Sequence, residues 1–458
     1  MGKKNFDFDL IILGSGSAGS AAASLAAEAR LKTAIVEADD WGGAGLNGSD
    51  VFKEAAFNFS HLYSDAVAGA RFGLSSSSLH FNYPTALNWQ NFAAKRSGFN
   101  NKKVFEDAGI SCFHGFANFL SPYEISVGQK RLTAANFIIS TGAKIFNGNI
   151  SGVADVACLT PTSALKLSRL PKTIFVVGGG STGCELAQHF AELGVKVYLG
   201  ELSNELLPRE DIEAGKILNL YFQERLKIKV LTQSRVISVE KTDAGKKVSF
   251  LRGGAEKSVV VDEIVLATGS LPNVDLGLEN TGVRFLTDGI EVNRYLQTTV
   301  KHIYAAGDVT GTDFSSPERA AYEGALAVAN LVNRSRNMSN YTGYARLTKT
   351  TPGVASVGLS ETECLRRNLK YNKSLVALSS TFAANVYDFR AGFVKLIAEK
   401  NTGKILGATI VAPNVDLMIQ EISFAVRHGL TITQLASTPH VASSWSEAVR
   451  LAARKLIK

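Results

Sequence analysis

Long apolar runs are absent from this 458-residue sequence, and none approaches the roughly 20 residues that a membrane-spanning helix needs. An apolar signal segment with a cleavage site is missing too, because the start MGKKNFDFDLIILG passes directly into a predicted strand. The sequence therefore predicts a cytoplasmic protein without stable membrane insertion.

Cysteine is scarce, and its spacing excludes two further classes of protein. The four cysteines lie far apart, at Cys112, Cys158, Cys184 and Cys364. Neither a disulfide framework nor a CxxC pair for metal or redox chemistry is visible. We expect reduced, buried thiols and no metal site.

Clusters of basic residues are also absent, although 49 Lys and Arg against 41 Asp and Glu give a net charge of +8. Without an arginine-rich arm or a repeat of basic and aromatic residues, nucleic acid is not a predicted partner. Such a surface instead attracts the phosphates of dinucleotides. The 45% hydrophobic and 20% charged residues are typical of an α/β enzyme, and the length allows roughly three domains.

A dinucleotide fingerprint opens the chain in the stretch FDLIILGSGSAGSAAASLAAEARLKTAIVEAD. Its pattern predicts a strand, a glycine turn, a helix and a second strand. Gly14, Gly16 and Gly19 form GxGxxG, and Glu37 follows at the distance expected for an acid that binds a ribose hydroxyl. The alternative is a glycine turn that closes a plain βα unit.

The same pattern returns in KTIFVVGGGSTGCELAQHFAELGVKVYLGELSNELLP, with Gly178, Gly180 and Gly183 in the turn. We predict a helix from about Ser181 to Leu193. Two fingerprints imply two dinucleotides, of which the natural pair is a tightly held flavin and a diffusible nicotinamide. Glu201 has no arginine beside it, which favours NAD over NADP; a solvated acid is the alternative.

From about Tyr341 the sequence changes character. The turn KNTGK between two β-rich runs predicts a hairpin, and two helices are expected at 416–428 and 444–458. This part of the chain is predicted to form a separate α+β domain.

Taken together, these motifs resemble the pyridine nucleotide-disulfide oxidoreductases, the family of dihydrolipoamide dehydrogenase, glutathione reductase and mercuric reductase. The likeness covers essentially the whole chain. Its markers stand in family order: GSGSAG, the pair Gly42 and Gly43, STG from Ser140, GGGSTG, ATGSLPN from Ala267, AAGDV around Asp308, ASVGLSE from Ala355, and SEA from Ser446.

The resemblance implies an α/β fold with two Rossmann-like domains, for FAD and NAD, and a C-terminal α+β dimerisation domain. The expected boundaries are 1–147 and 273–340 for the FAD domain, 148–272 for the NAD domain and 341–458 for dimerisation. FAD as cofactor, NAD(H) as co-substrate and a homodimer are implied in the same way.

Matching positions give the expected site residues. Those implied for FAD are Gly14, Gly16, Ser17, Ala18, Gly19, Glu37, Gly43, Gly115, Thr141, Gly142, Gly307 and Asp308. Those implied for the nicotinamide nucleotide are Gly178, Gly180, Ser181, Thr182, Gly183, Glu201, Val236 and Gly269, with Glu185 positioning nicotinamide and flavin.

The departures from the family pattern lie at the positions of the residues that carry out the redox reaction. Where members carry GGTCLNVGCIPSK, this chain places Gly45 and Asp50 at the two cysteine positions. The usual lysine partner of Glu185 is replaced by Glu54, unless a one-residue slip brings Lys53 there. Asp50 would face the flavin either ionised or protonated, or as a filler without a redox role.

A matching loss occurs at the C-terminal motif HxHPTxSE, which here reads HVASSWSE. Ala442 replaces the catalytic histidine, and Glu447 has no histidine left to orient. His440 is either a substitute base or, as we favour, a structural histidine. Cys184 could be proposed as a replacement thiol, but its place on a helix favours core packing.

The resulting hypothesis is an FAD-dependent NAD(P)H oxidoreductase that passes hydride to flavin and then electrons to a small acceptor such as a quinone, a dye or oxygen. A redox-silent FAD- and NAD-binding sensor or scaffold is the alternative. Disulfide reduction by another cysteine pair is a third. Ser181 stands where relatives often carry a bulky aromatic that covers the flavin, so we expect a more open flavin face.

Overall fold

The computed structural model describes residues 5–43, 50–74, 79–96, 102–311, 315–332 and 337–457, and only the backbone of Asp50. The chain divides into two compact units. Unit one comprises Met1–Asn58, Asn82–Phe146 and Ser270–Asn340, and unit two comprises Phe59–Phe81, Asn147–Gly269 and Tyr341–Lys458. Unit two thus contains both the second fingerprint and the C-terminal part of the chain, while the four-part division made from the sequence stays a prediction.

Helices of the described residues are numbered in chain order. They are α1 (Ser17–Glu28), α2 (Asp50–Ala68), α3 (Tyr83–Arg96), α4 (Lys102–Asp107), α5 (Pro161–Ala164), α6 (Ser181–Glu192), α7 (Ile212–Glu224), α8 (Pro317–Val332), α9 (Glu361–Arg366), α10 (Phe382–Val386), α11 (Val415–His428), α12 (Ile432–Ser437) and α13 (Glu447–Ile457). Within these ranges no helix is both long and apolar enough to span a membrane.

Strands are numbered in the same way. They are β1 (Phe8–Leu13), β2 (Thr33–Glu37), β3 (Ser111–His114), β4 (Ala117–Ser121), β5 (Glu124–Val127), β6 (Lys130–Ile139), β7 (Ala143–Ile145), β8 (Thr173–Val177), β9 (Lys196–Gly200), β10 (Lys229–Leu231), β11 (Ser234–Thr242), β12 (Gly245–Arg252), β13 (Ala255–Val261), β14 (Glu263–Leu266), β15 (Ser270–Pro272), β16 (Phe285–Leu286), β17 (Gly289–Ile290), β18 (Ile303–Ala305), β19 (Ala345–Thr348), β20 (Gly353–Gly358), β21 (Tyr371–Ala377), β22 (Phe393–Glu399) and β23 (Ile405–Ala412).

Unit one is built on a parallel sheet in which the neighbours are β3, β2, β1, β6 and β18. The first residues of β6 also pair antiparallel with β5, which pairs with β4. β1 is buried except at Asp9, as the apolar run from Leu10 to Leu13 requires in a sheet covered on both faces. Helix α1 approaches α8 closely, because a Cβ on Gly324 would lie 2.0 Å from the carbonyl oxygen of Ala18.

Unit two contains a second parallel sheet, in the order β10, β9, β8 and β14, and an antiparallel sheet of β11, β12 and β13. Its C-terminal part is a five-stranded antiparallel sheet in the order β19, β20, β23, β22 and β21. The KNTGK stretch joins β22 to β23 as a hairpin, as predicted. Helix α13 begins at Glu447 rather than 444, because residues 441–446 form hydrogen-bonded turns instead.

A buried lysine lies between the two parts of unit two. Lys395, on β22, is 2% exposed, and its Nζ lies 2.8 Å from Glu361 Oε1, 2.9 Å from Glu213 Oε2 and 3.4 Å from Asp211 Oδ2. Burial opposes the charge of Lys395, but hydrogen bonds to Glu361 and Glu213 outweigh it and hold the pKa of the ammonium above its ordinary value. One cation therefore neutralises carboxylates from the first turn of α7 and from α9.

We predict that Lys395→Met destabilises the protein by about 3 kcal/mol, because it leaves Asp211, Glu213 and Glu361, all partly buried, without the buried cation between them. The measurement is urea unfolding. Lys373→Met is the matched control, since Lys373 also pairs with Glu361 but its side chain is 55% exposed, and a surface pair contributes at most about 1 kcal/mol. Equal losses in the two variants would contradict the role given to Lys395.

Candidate functional site

The first glycine turn leaves open space at one position only. Gly14 has φ +97°, and a Cβ there would lie 2.4 Å from the carbonyl oxygen of Ser140; a Cβ on Gly19 would lie 1.9 Å from that of Gly14. Among the described residues, the atom nearest to a Cβ built on Gly16 is the Cα of Gly43, 4.0 Å away. The first and third glycines thus meet the protein's own backbone, and the second leaves room for a ligand at the start of α1, where no side chain caps the helix.

Glu37 binds this turn directly. Its Oε2 accepts hydrogen bonds from the Ser15 amide (2.8 Å) and hydroxyl (2.6 Å), and its Oε1 accepts one from the Asp39 amide (2.9 Å). The Ser15 hydroxyl in turn accepts the Gly42 amide at 2.8 Å. A carboxylate offers about four acceptor positions, so Oε1 retains capacity for a ribose hydroxyl.

Other residues implied for FAD lie at the carboxyl ends of the same parallel strands. Gly115 follows β3 and donates its amide to the carbonyl of Glu37 at 2.8 Å. After β6, the Thr141 hydroxyl donates to the Asn273 carbonyl at 2.8 Å, and the Asn273 amide donates to Gly142 at 2.9 Å. Ligands of parallel α/β sheets bind at this end of the strands.

Asp308 follows β18 and is half-buried. Burial raises the pKa of its carboxyl, and a hydrogen bond with Ser315 opposes that shift. The preceding Gly307 donates its amide to Glu323 Oε2 at 2.7 Å, and Arg319 Nε donates to Glu323 Oε1 at 2.8 Å. Sequence reasoning missed Glu323, which is 1% exposed; an Arg and a Glu four residues apart were its only sequence signal.

The second glycine turn repeats the first. Gly178 has φ +108°, and a Cβ there would lie 2.3 Å from the Ala267 carbonyl oxygen; a Cβ on Gly183 would lie 1.8 Å from that of Gly178. A Cβ built on Gly180 would have no described atom within 4 Å apart from its chain neighbours and its own helix backbone. The middle glycine is again the position where backbone and ligand can meet.

Glu201 occupies the place that Glu37 has in unit one. Its Oε2 accepts the Gly179 amide at 2.6 Å, and its Oε1 accepts the Ser203 amide at 2.7 Å. The residue is 7% exposed, so the alternative of a solvated acid does not describe it. Of the other residues implied here, Val236 is half-buried on β11, while Thr182 in the first turn of α6 and Gly269 after β14 are exposed.

Glu185 is buried on α6 and holds the segment that follows β19. Its Oε1 accepts the Lys349 amide at 2.8 Å and lies 3.4 Å from the Ser181 hydroxyl. The same hydroxyl lies 3.3 Å from the carbonyl oxygen of Leu347. The small side chain of Ser181 therefore points back into its own unit.

Only part of the expected redox segment can be placed. Gly45 lies outside the described residues, and Asp50 is the first residue of α2. Lys53 and Glu54 are both half-buried, and Lys53 Nζ lies 6.0 Å from the centre of the Phe57 ring. The choice between Lys53 and Glu54 stays a prediction.

The C-terminal motif carries a histidine whose two ring nitrogens are both engaged. His440 Nδ1 lies 3.0 Å from the Thr438 carbonyl and must donate to it, while Nε2 lies 2.8 Å from Glu421 Oε2. Burial raises the pKa of the Glu421 carboxyl. This geometry favours the structural reading of His440. Ala442 is exposed in the following turn, and Glu447 pairs with Arg450 at 3.0 Å.

All four thiols are wholly or partly buried. Burial raises the pKa of all four, that of Cys112 to about 11. Cys184 is fully buried and donates to the Gly179 carbonyl at 3.3 Å. Because the thiolate is the reactive form, none of them resembles a redox centre.

Comparison with known proteins connects both glycine turns to one family. The model for pyridine nucleotide-disulphide oxidoreductases matches residues 8–327, and the model for the dimerisation domain of these proteins matches residues 344–453. Curated relatives include a mercuric reductase from Streptomyces lividans, 32% identical over 98% of this chain and 96% of its own. A dihydrolipoyl dehydrogenase from Buchnera aphidicola is 30% identical over 97% and 94%.

Two solved structures have the same fold as this chain. LpdA from Mycobacterium tuberculosis superposes with a TM-score of 0.84 at 26% identity and covers 98% of this chain and 99% of its own. The HOCl-induced flavoprotein disulfide reductase RclA from Escherichia coli gives 0.85 at 22% identity, over 98% and 100%, and supports the fold alone.

We predict that two glycines three residues apart respond differently to alanine. Gly183→Ala should lower the free energy of unfolding by about 1–3 kcal/mol, because the new methyl group collides with the Gly178 carbonyl. Gly180→Ala should cost less than about 1 kcal/mol but weaken NADH binding about tenfold, because the methyl group enters the open space. Urea unfolding and NADH titration separate the two. Unchanged NADH affinity in a folded Gly180→Ala protein would count against this site.

Proposed function

This chain belongs to the pyridine nucleotide-disulphide oxidoreductase family, and from that premise we propose that it oxidises NADH with a bound FAD and passes the electrons to a small acceptor other than a disulfide. Members of the family are enzymes that use FAD and NAD(P)H, and the dimerisation domain supports a homodimer. A cytoplasmic location remains part of the proposal.

One observation carries the proposal. Both glycine turns have the same geometry, with the middle glycine open and a buried acid bound to the loop, whereas the sequence contains no cysteine before Cys112. This geometry supports two nucleotide sites, and by the resemblance Gly45 and Asp50 stand at the two cysteine positions of the family's dithiol segment. With Ala442 at the histidine position, the parts that serve thiol-disulfide exchange are missing together.

In unit one we assign the residues of the first turn, with Glu37 and Asp308, to FAD. The open space at Gly16 would admit the pyrophosphate against the amides of α1, and the spare capacity of Glu37 Oε1 would accept a ribose hydroxyl. Asp308 would hold the ribityl chain. When bound, FAD supplies a ring that accepts a hydride.

In unit two the second turn would hold NADH in the same manner, with the pyrophosphate against the amides after Gly180. Glu201 would accept hydrogen bonds from the ribose hydroxyls and repel a 2′-phosphate, so NADH is the expected donor. Glu185, fixed by the Lys349 amide, would position the nicotinamide. With serine rather than an aromatic residue at Ser181, no large side chain from this position would cover the flavin.

The reaction balances without a thiol. NADH would supply a hydride and leave as NAD⁺, and the acceptor would finally take up the two electrons with the hydride's proton and one proton from solvent. Quinones, dyes and oxygen are the candidate acceptors, and bound FAD would supply the ring that relays the electrons. A redox-silent sensor or scaffold is the second candidate. Retention of Glu185 and its contact with Lys349 favours the enzyme, because a scaffold has no need of an ordered nicotinamide site.

Anaerobic mixing with NADH is the decisive measurement. We expect the oxidised flavin absorbance to bleach, and NADPH to bind about tenfold more weakly or worse because of Glu201. Glu201→Ala should reduce the difference between the dissociation constants of NADPH and NADH. Unchanged oxidised flavin at saturating NADH and NADPH would refute the enzyme in favour of the redox-silent protein.

A second prediction concerns the thiols. We expect NADH-dependent reduction of a quinone to persist within about twofold after Cys112, Cys158 and Cys364 are replaced by serine, because burial raises the pKa of these thiols and so disfavours the reactive thiolate. Lipoamide and glutathione disulfide should not be reduced by either protein. Loss of turnover in a triple variant that still folds and binds FAD would point to disulfide chemistry through another pair.

A further inference from the structure

One face of α6 contacts the end of β19 and the backbone that follows it. Ser181, Glu185 and Gln188 are spaced four and three residues apart, so they share one side of the helix. They contact respectively the Leu347 carbonyl, the Lys349 amide and, through Gln188 Oε1 at 2.8 Å, the Thr351 amide. The three contacts thus fall on every second residue of a stretch that runs from the end of β19 into a bend, which we call the 347–351 segment.

Gln188 is the residue of this set that has no place in the family motif. It is 1% exposed, and its Nε2 donates to Glu192 Oε1 at 2.7 Å. Because a carboxylate can only accept, the amide orientation is determined, and Oε1 is left to accept the Thr351 amide. A flipped amide would lose both hydrogen bonds.

Glu192 is fixed from its other side as well. Its carboxylate, 3% exposed, lies 2.8 and 2.9 Å from His61 Nδ1 on α2. Hydrogen bonds therefore run without a break from His61 through Glu192 and Gln188 to Thr351. A buried chain of this kind specifies one arrangement of its members, because any break leaves a buried polar group without a partner.

We propose that Gln188 is a positioning residue for the nicotinamide nucleotide. By holding Thr351 it fixes the register of the 347–351 segment, and with it the Lys349 amide that orients Glu185. This inference rests on the proposed function, because it takes Glu185 to be the residue that meets the nicotinamide.

The test uses the FAD-loaded protein and NADH itself. Gln188→Leu removes both hydrogen bonds at similar volume and should raise the dissociation constant and KM for NADH about tenfold, with FAD content unchanged. Gln188→Glu should have a similar effect, because two carboxylates would then face each other. Gln223→Leu is the control, since Gln223 lies exposed on α7 and bonds only a neighbouring Asn219 in the described contacts.

Exchanging the amide of Gln188 and the carboxylate of Glu192 should restore NADH affinity. In the double variant Gln188→Glu with Glu192→Gln, the new carboxylate can accept both the Thr351 amide and the new side-chain amide, whose oxygen can accept from His61. We expect NADH affinity to return to within about twofold of the original protein, a coupling that independent sites do not show.

The outcomes separate the two proposals. Absence of NADH binding by the unaltered protein would refute the nucleotide site and this inference together. Binding without flavin reduction would refute the proposed activity, while the dissociation constants still test Gln188. If Gln188→Leu lowers the melting temperature but leaves NADH affinity within twofold, or if the double variant folds with FAD and shows no recovery, Gln188 is structural only.

Discussion

The two glycine turns depend on how closely a helix can approach the strand before it. In both units a Cβ on the third glycine would lie less than 2.0 Å from the carbonyl oxygen of the first. Only glycine allows this approach, and the approach brings the first amides of α1 and α6 to the carboxyl end of the sheet. The acid at the end of the second strand then fixes the loop by accepting a backbone amide. In unit one Glu37 accepts the Ser15 amide, and in unit two Glu201 accepts the Gly179 amide. The same physical solution therefore occurs twice in one chain.

Buried carboxylates extend this ordering beyond the glycine turns. Glu185, Glu192 and Glu323 have side chains between 1% and 3% exposed, and each accepts hydrogen bonds from polar groups of another segment or of its own helix. A buried charge costs several kcal/mol unless it is paired or hydrogen-bonded, so these contacts are retained only if the facing loops keep their positions. In this way acids on helices determine the backbone of loops that have little regular structure of their own.

Sequence reasoning succeeded where the determinants are local. The glycine spacing, the apolar run of β1 and the KNTGK turn each specify a short piece of backbone, and the structure has the predicted strands, helix starts and hairpin there. Partners such as Gln188 and Thr351 are 163 residues apart, and nothing in the apolar pattern of α6 distinguishes a polar residue that bonds a distant amide from one that meets solvent. Glu323 and Lys395 escaped prediction for the same reason. The departures expected at Gly45, Asp50 and Ala442 rest on the spacing of a family motif and stay predictions.

Loss of the dithiol would change what selects the electron acceptor. In thiol-disulfide exchange the thiolate pKa and the base that protonates the leaving group decide which substrate reacts. Here burial raises the pKa of all four thiols, and both ring nitrogens of His440 are engaged, by Thr438 and Glu421. Under the proposed function, no side chain stores the electrons between NADH and the acceptor, so they must leave from the bound cofactor itself. The choice of acceptor then depends on which molecules can reach that cofactor and on how readily the cofactor is reduced. The charge state of Asp50 would affect how readily it is reduced.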